Sequence, residues 1–227
     1  GAFGTTNTIA VAQLDPTTGV ITRSIITPTI NGQTINLLWA PDFYVENNTL
    51  YIIFSAKTNT TDFMPYEIHA TSGYATASSY SSPVALGIAP YGGIDHHIIK
   101  DDNGLYHDLS ANGSIIKHQT SNSLVGTWST AETVDSSWRY MEAPTSFRLA
   151  NGDWRVFFDA GGLQADYNLG SNLLENDGLM FYADFSNDLS QHTALKLVPH
   201  AMRHCGLTLI PSTYLASQNR LESGSAI

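Results

Sequence analysis

The chain has 227 residues, of which 42% are hydrophobic and only 13% are charged, so it can bury the core of a large domain and is too apolar to be disordered. Its net charge is -10 and it has no basic cluster, which argues against nucleic acid as a partner because phosphates would be repelled. No apolar run reaches the roughly 18 residues that a membrane-spanning helix needs, so no membrane partner is expected either.

Strand-like runs begin near the start of the chain and recur along it. Residues 7–12 and 20–26 predict two outer strands that have no inner hairpin before them. Turn pairs separate the later runs, at Asn31-Gly32, Asn103-Gly104, Asn112-Gly113 and Asn151-Gly152. No long amphipathic helix stands out, although a short helix near 212–221 fits the pattern. The pattern predicts an all-β chain, which is a sandwich, a barrel or a propeller.

A weak internal repeat favours the propeller. Three hairpins, over 39–54, 93–109 and 141–158, start about 50 residues apart, which is the spacing of four-stranded propeller blades. In each hairpin a small residue or proline stands beside an acidic residue at the start of the first strand. We therefore expect a single β-propeller domain over residues 1–227, with inner strands near 39–45, 94–99, 141–148 and 203–210.

Two carboxylates stand out at the starts of inner strands, Asp95 and Glu142, and Asp42 occurs in the hairpin before them. We expect all three to point toward one end of a central channel, because they hold equivalent places on successive inner strands, and we expect Asp42 to bind substrate. Glycoside hydrolysis needs two carboxyl groups that flank one bond, one of them protonated and the other ionised. In an apolar, aromatic channel the pKa values of such a pair are pushed apart, as this chemistry requires. Acidic residues at strand starts also form hydrogen bonds within blade turns, so the spacing by itself leaves a purely structural interpretation open.

Aromatic residues flank the same strand starts, namely Trp39, Tyr91 and Trp138. Sugar rings stack their C–H faces on indole and phenol rings, so we expect these residues to bind a sugar, with Trp39 or Trp138 at the channel rim. Packing between blades would place the same residue types there. His96 is also expected to line the pocket, whereas the adjacent His97 points to the opposite face of the strand, so the two cannot serve one metal ion.

Four motifs together resemble glycoside hydrolase family 43 in order and spacing, over roughly residues 7–221. They are Trp39-Ala40-Pro41-Asp42, Gly93-Ile94-Asp95 with the turn at 101–104, Met141-Glu142-Ala143-Pro144, and Arg203-His204 before an apolar strand. The resemblance implies a five-bladed β-propeller that hydrolyses glycosides with inversion. It also implies substrates that contain arabinose, xylose or galactose.

The resemblance further implies roles for individual residues. Glu142 would be the general acid, and Asp95 would be a third carboxylate that orients the acid and raises its pKa. Arg203 would contact the sugar. His204 would lie at the channel axis, where many relatives hold a calcium ion or a water molecule, and no other cofactor is required.

One departure from the family pattern bears on the mechanism. The family's general base is an Asp in an Asp-Pro motif on the first inner strand, whereas the Asp-Pro of this chain, Asp15-Pro16, belongs to a turn between two outer strands. We therefore expect the base to lie upstream of Gly1 or to be absent, which would leave the first blade incomplete and the closure of the ring open. Cys205 also replaces the glycine that usually follows the histidine.

Two functions of different classes remain open from the sequence. The first is an inverting glycosidase that acts on plant or cell-wall polysaccharides or oligosaccharides and lacks its base-bearing segment. The second is a catalytically inactive sugar-binding protein on a glycosidase-like propeller. The missing base favours the second, whereas Glu142 and Asp95 favour the first, because a binder needs no positioned acid. A composition rich in Ser, Thr, Asn and Gly predicts that either protein is secreted.

Overall fold

The computed structural model describes residues 7–58, 62–71, 79–88, 93–112, 115–138, 141–160 and 179–198. Most of these residues form strands or the turns between them, and the described chain includes no helix that is long and apolar enough to cross a membrane. Their strands are β1 (Ile9–Leu14), β2 (Ile21–Ile26), β3 (Thr29–Ile30), β4 (Gln33–Thr34), β5 (Leu37–Glu46), β6 (Thr49–Lys57), β7 (Met64–His69), β8 (Val84–Ala85), β9 (Ile94–Lys100), β10 (Tyr106–Asn112), β11 (Ile115–Ser121), β12 (Glu132–Thr133), β13 (Met141–Arg148), β14 (Trp154–Ala160), β15 (Leu179–Phe185) and β16 (Lys196–Leu197).

The chain divides into two compact units. Unit 1 comprises residues 1–96 and 123–128, and unit 2 comprises residues 97–122 and 129–227. The single domain expected over residues 1–227 stays a prediction.

Unit 1 contains one four-stranded sheet and two hairpins. Strands β5, β6, β7 and β8 pair in that order, each antiparallel to the next, while β1 pairs with β2 and β3 with β4. Residues 52–56 of β6 are all buried, as expected for a strand that is covered on both faces. The buried apolar cluster of this unit includes Ile9, Val11, Ile26, Leu38, Ile52, Phe54 and Ile68.

Hydrogen bonds join the loop at residues 123–128 of unit 1 to the chain just after β8. The carbonyl oxygen of Leu86 accepts hydrogen bonds from the Gly126 N–H at 3.1 Å and from the Trp128 Nε1–H at 2.9 Å. Gly87 has a φ of +82°, and a Cβ atom added to it would clash with the Gly126 carbonyl oxygen. Both the backbone conformation and this close approach therefore require glycine at position 87.

Two four-stranded antiparallel meanders form unit 2, except that residues 94–96 at the start of β9 belong to unit 1. Their orders are β12-β11-β10-β9 and β13-β14-β15-β16. In the second sheet the Trp138 ring packs edge-on against Phe158, with ring centroids 5.3 Å apart, and against Phe185, with centroids 6.3 Å apart. Aromatic pairs prefer this arrangement because the positive ring edge meets a negative ring face.

The observed strands confirm the expected architecture where the structure describes it. The predicted inner strands at 39–45, 94–99 and 141–148 are β5, β9 and β13, which are the first strands of the three four-stranded sheets. Such a meander is the unit from which a propeller blade is made. The fourth inner strand, predicted at 203–210, and the short helix near 212–221 lie outside the described residues.

Candidate active site

The first strands of two sheets carry the same β-bulge. In β5, residues 40–41 oppose the single residue Phe54, and in β13, residues 143–144 oppose Phe158. Both phenylalanines are 0% exposed, so each bulge lies over a filled core. The second bulge residue is proline in both strands, which suits a position without a ladder hydrogen bond because proline has no N–H group.

A left-handed backbone conformation occurs near the start of the first strand in three sheets. The first bulge residues, Ala40 and Ala143, both have a φ of +49°, and Asp95 near the start of β9 has a φ of +57°. A left-handed conformation costs a residue with a side chain about 1–2 kcal/mol, and glycine would avoid that cost. Strain of this kind persists where the surrounding structure enforces it, and it clusters at functional sites.

This shared left-handed residue gives a common reference point for the carboxylates. Asp95 is itself the left-handed residue, Glu142 stands directly before Ala143, and Asp42 lies two positions after Ala40. The three carboxylates therefore occupy three different positions of their strands, and the expectation of equivalent placement is wrong in this detail. All three are half-buried.

Glu142 has a second carboxylate as its cross-strand neighbour. It pairs with Asp159 in the antiparallel register of β13 and β14. Residues that lie opposite each other in such a pair project to one face of the sheet, with Cβ atoms about 4.5–5.5 Å apart. On the same face Phe157 pairs with Tyr182, and their ring centroids are 5.9 Å apart. The sheet thus presents two adjacent carboxylates at one end of an aromatic row.

Arg155 is the cation of this face in strand β14, and it is already paired. Its Nε–H donates to Asp184 Oδ1 at 2.6 Å, and its Nη2–H donates to Asp184 Oδ2 at 2.9 Å. These hydrogen bonds are the main reason why the pKa of Arg155 is raised and that of Asp184 is lowered. The guanidinium also lies over the Tyr182 ring, 4.4 Å from its centroid.

The two tryptophans proposed as sugar platforms differ in their surroundings. Trp39 is half-buried and its ring stands 4.7 Å from that of Phe63, and its buried Nε1 has no hydrogen-bond partner among the described residues. Trp138 is only 4% exposed and is enclosed by Phe158, Phe185 and His192. The structure therefore does not place Trp138 at a channel rim, because other side chains of unit 2 already surround its ring.

The adjacent histidines of β9 are both buried. His96 is 1% exposed, which leaves a bound sugar little of its surface. The Nε2 atom of His97 lies 2.8 Å from Ser146 Oγ, within hydrogen-bond distance of a residue on β13. His97 therefore ties two strands of unit 2 together.

A pair of contacting histidines, His107 buried and His118 half-buried, lies in the sheet of β9 to β12, and the sequence pattern did not reveal it. Nδ1 of His107 and Nε2 of His118 are 2.9 Å apart, so one ring donates and the other accepts. Asp101 Oδ2 stands 3.6 Å from the other nitrogen of His107. Burial lowers the pKa of His107 despite the opposing effect of Asp101, and burial followed by the charge of His107 lowers the pKa of His118 to about 4.

Three of the nominated site residues, Tyr91, Arg203 and His204, lie outside the described residues. Within the described ranges, no group of three or more His, Cys, Asp and Glu side chains is arranged to hold a metal ion. Calcium prefers six to eight oxygen ligands, and the described residues provide no such set beside which His204 could be judged. The calcium site stays a prediction.

The chain is similar to known proteins in its fold and not detectably in its sequence. No family model matches the sequence, and no curated protein matches it. Solved structures do match. An α-L-arabinofuranosidase from Lactobacillus brevis has 12% identity and a TM-score of 0.55, and the match covers 78% of this chain and 60% of that one. A family 93 α-L-arabinofuranosidase from Fusarium graminearum, in complex with arabinobiose, has 12% identity and a TM-score of 0.60, with coverage of 84% and 58%.

A third solved structure names the family that the motifs resemble. It is a calcium-free family 43 β-xylosidase/α-arabinofuranosidase from a compost microbial metagenome, in complex with xylotriose. Its identity is 12% and its TM-score is 0.54, and the match covers 83% of this chain and 63% of that one. The fold is that of the propeller glycosidases. The chain spans 58% to 63% of the length of these three structures, so it corresponds to a part of each of them.

Asp159 is the residue that the sequence analysis missed at this site. The signal was present in the repeat, because the second strand of each hairpin has Ser-Ala or Asp-Ala at or next to its end, at 55–56, 110–111 and 159–160. The sequence alone did not say which first-strand residue would lie opposite that position, since the bulge shifts the register by one residue.

Proposed function

We propose that the protein is a glycoside hydrolase that acts with inversion on polysaccharides or oligosaccharides containing arabinose, xylose or galactose. The propeller glycosidase fold supports this, as do the names of its structural neighbours, which are arabinofuranosidases and a β-xylosidase/α-arabinofuranosidase. The polar, weakly charged composition further supports secretion of the enzyme.

One observation carries the proposal. The first strands of three successive sheets hold a left-handed residue that is not glycine, and a carboxylate stands at that residue or directly before it in two of them, as Asp95 and Glu142. Stability alone would favour glycine at such positions. A functional requirement for these side chains gives a reason for the strain.

In the proposed reaction Glu142 is the general acid. Its carboxyl group donates a proton to the glycosidic oxygen as the bond to the anomeric carbon breaks, and a water molecule attacks that carbon from the opposite face. A carboxylate base must take a proton from this water, and in inverting enzymes it stands about 6.5–9.5 Å from the acid to leave room for the water. Asp95 keeps the role that the family resemblance implies, as a further carboxylate. Trp39 would stack on a sugar ring.

Leaving-group chemistry tests the role of Glu142. A substrate whose leaving group is already acidic, such as a 2,4-dinitrophenyl glycoside, needs no proton from the enzyme, whereas an oligosaccharide does. Glu142→Gln should lower kcat/KM on arabino- and xylo-oligosaccharides by about 10²–10⁴-fold and change it little on dinitrophenyl glycosides. Proton NMR of the first product should show the inverted anomer. Equal losses on both substrate types would refute the acid assignment.

The same experiment separates the enzyme from a sugar-binding protein. Activity should be measured with this chain and with any longer form of the protein that its gene encodes, and oligosaccharide affinity should be measured by calorimetry on both. Affinity without turnover in every form would contradict the proposed function and favour a binding protein, because stacking and hydroxyl contacts need no base. Trp39→Ala should weaken binding in either case.

A further inference from the structure

An aromatic contact in unit 1 lies on the opposite face of its sheet from the buried apolar cluster. Phe54 and Ala56 of β6 belong to that cluster, whereas Ser55 between them projects to the other face, because side chains alternate along a strand. On this second face Ser55 pairs with Trp39 of β5 on one side and with Pro65 of β7 on the other. Trp39 therefore lies outside the buried apolar cluster of the unit.

The ring of Phe63, which directly precedes β7, reaches Trp39 across the middle strand β6. The two ring centroids are 4.7 Å apart, and the ring planes are inclined at 33°. Neighbouring strands lie about 4.8 Å apart, so β5 and β7 are roughly 10 Å apart and both rings lean over β6 to come this close. Ser55 is the β6 residue between them, and its small side chain leaves room for the contact. Ser55 is 0% exposed, as expected for a residue beneath two rings.

The Phe63 contact is what orients the indole ring of Trp39. The Nε1 atom of Trp39 is buried and has no hydrogen-bond partner among the described residues. Trp128 shows the alternative, because its Nε1–H donates a hydrogen bond to the carbonyl oxygen of Leu86 at 2.9 Å. Since the indole has no other polar atom, packing against Phe63 determines the direction of the Trp39 ring in the part of the chain that the structure describes.

Phe63 is itself held in place. It is only 8% exposed, and the ammonium group of Lys57 lies over its ring, 4.5 Å from the centroid. A cation in this position is attracted by the negative charge density of the ring face. Lys57 follows Ser55 by two residues on β6 and so projects from the same face of the sheet. Lys57, Phe63 and Trp39 thus form one chain of contacts that ends at the indole.

We propose that Phe63, supported by Lys57, is a positioning residue that holds the ring of Trp39 ready to stack on a sugar. The inference deepens the proposed function, on which it rests, by naming the residues that preorganise the sugar platform. Trp39 stays half-buried with Phe63 against it, so part of its surface is left for a ligand. A sugar that bound a mobile indole would also have to order that side chain, which lowers affinity by about 2- to 10-fold.

Oligosaccharide affinity tests the inference without requiring turnover. Phe63→Ala should weaken the binding of arabino- and xylo-oligosaccharides, measured by calorimetry, by about 2- to 10-fold. Phe63→Leu keeps most of the apolar volume but not the flat ring, so it should fold and show a similar loss. Phe63→Tyr keeps the ring and should retain the original affinity. Lys57→Met keeps an unbranched side chain without the charge and should cause a smaller loss than Phe63→Ala.

A double-mutant cycle and a matched control show whether the effect passes through Trp39. In a Trp39→Ala background, adding Phe63→Ala should cause no further loss of affinity, because the ring that Phe63 holds is already gone. Phe43→Ala is the control: Phe43 lies on the same strand as Trp39, but it pairs with Ile52 of the apolar cluster and is 42% exposed on that other face. Its removal deletes the same ring from the same sheet and should leave the affinity unchanged.

NMR of the indole N–H groups adds a readout that needs no sugar. Trp39→Phe identifies the Trp39 resonance, which should move in Phe63→Ala and stay in place in Phe43→Ala. Equal losses of affinity in Phe63→Ala and Phe43→Ala, or a full additional loss when Phe63→Ala is combined with Trp39→Ala, would overturn the inference.

Failure of the inference can be told apart from failure of the proposed function. If Trp39→Ala weakens binding while Phe63→Ala and Phe63→Leu change neither the affinity nor the Trp39 resonance, the inference is overturned and the sugar platform stands. Coupled losses at Trp39 and Phe63 in a protein that hydrolyses no oligosaccharide would support the inference and contradict the proposed hydrolase activity.

Discussion

Replacing Gly87 with alanine should be the most damaging single-methyl change in unit 1, and the structure allows its cost to be divided. The left-handed φ of +82° costs an alanine about 1–2 kcal/mol. The new Cβ atom would also clash with the Gly126 carbonyl oxygen, so the two backbones must move apart to reach an ordinary contact distance. That shift stretches two hydrogen bonds to Leu86 O, each worth about 0.5–1.5 kcal/mol.

The expected loss in the free energy of unfolding is therefore about 2–5 kcal/mol for Gly87→Ala. Gly19→Ala is the matched control, because Gly19 has a similar φ of +70° but nothing within 4 Å of an added Cβ atom, so it should lose only the backbone contribution. Urea unfolding followed by tryptophan fluorescence gives both values. Equal losses in the two variants would refute the close contact between residues 87 and 126 and the reasoning built on it.

Two further predictions concern the buried histidines and the strained bulges. The pKa of His118 is lowered from 6.5 to about 4 in the folded state, so the unfolded chain binds the proton first as the pH falls. This residue should therefore lower the free energy of unfolding by up to about 3 kcal/mol between pH 6.5 and pH 4. Urea unfolding of His118→Gln should show a free energy of unfolding that falls less steeply over this pH range than in the unmodified protein, and parallel curves would contradict the prediction. Ala143→Gly should raise the free energy of unfolding by up to about 1 kcal/mol, since relief of the left-handed conformation outweighs the flexibility that glycine adds to the unfolded chain. A clear loss of stability in Ala143→Gly would show that the bulge is not strained.

Much of the architecture was readable from local patterns. The short β-branched and aromatic runs at 50–54 and 154–158 and the asparagine–glycine turns predicted the hairpins, because strand propensity and turn chemistry act over a few neighbouring residues. The acidic positions Asp95 and Glu142 were found in the same way, from their recurrence at strand starts. These sequence patterns can be recognised without knowledge of the fold.

Local sequence patterns did not predict which residues surround each site residue. Trp138 and His96 have residue types common at sugar sites, yet both are buried, which only the packing of distant strands decides. The pairing of His107 with His118 likewise depends on how two strands are aligned. Burial and cross-strand contacts are non-local, so they have no signature within a short stretch of sequence.

The sequence by itself determined that this is an all-β chain with a blade-length repeat and a carboxylate at the head of successive hairpins, because each of these properties is written in residues that are close along the chain. Only the tertiary structure decided that a one-residue bulge follows Glu142 in β13, and hence that Asp159 lies opposite it. A strand that slips by one residue turns every side chain to the other face, so the register, which is set by the whole sheet, determines which two residues lie opposite each other.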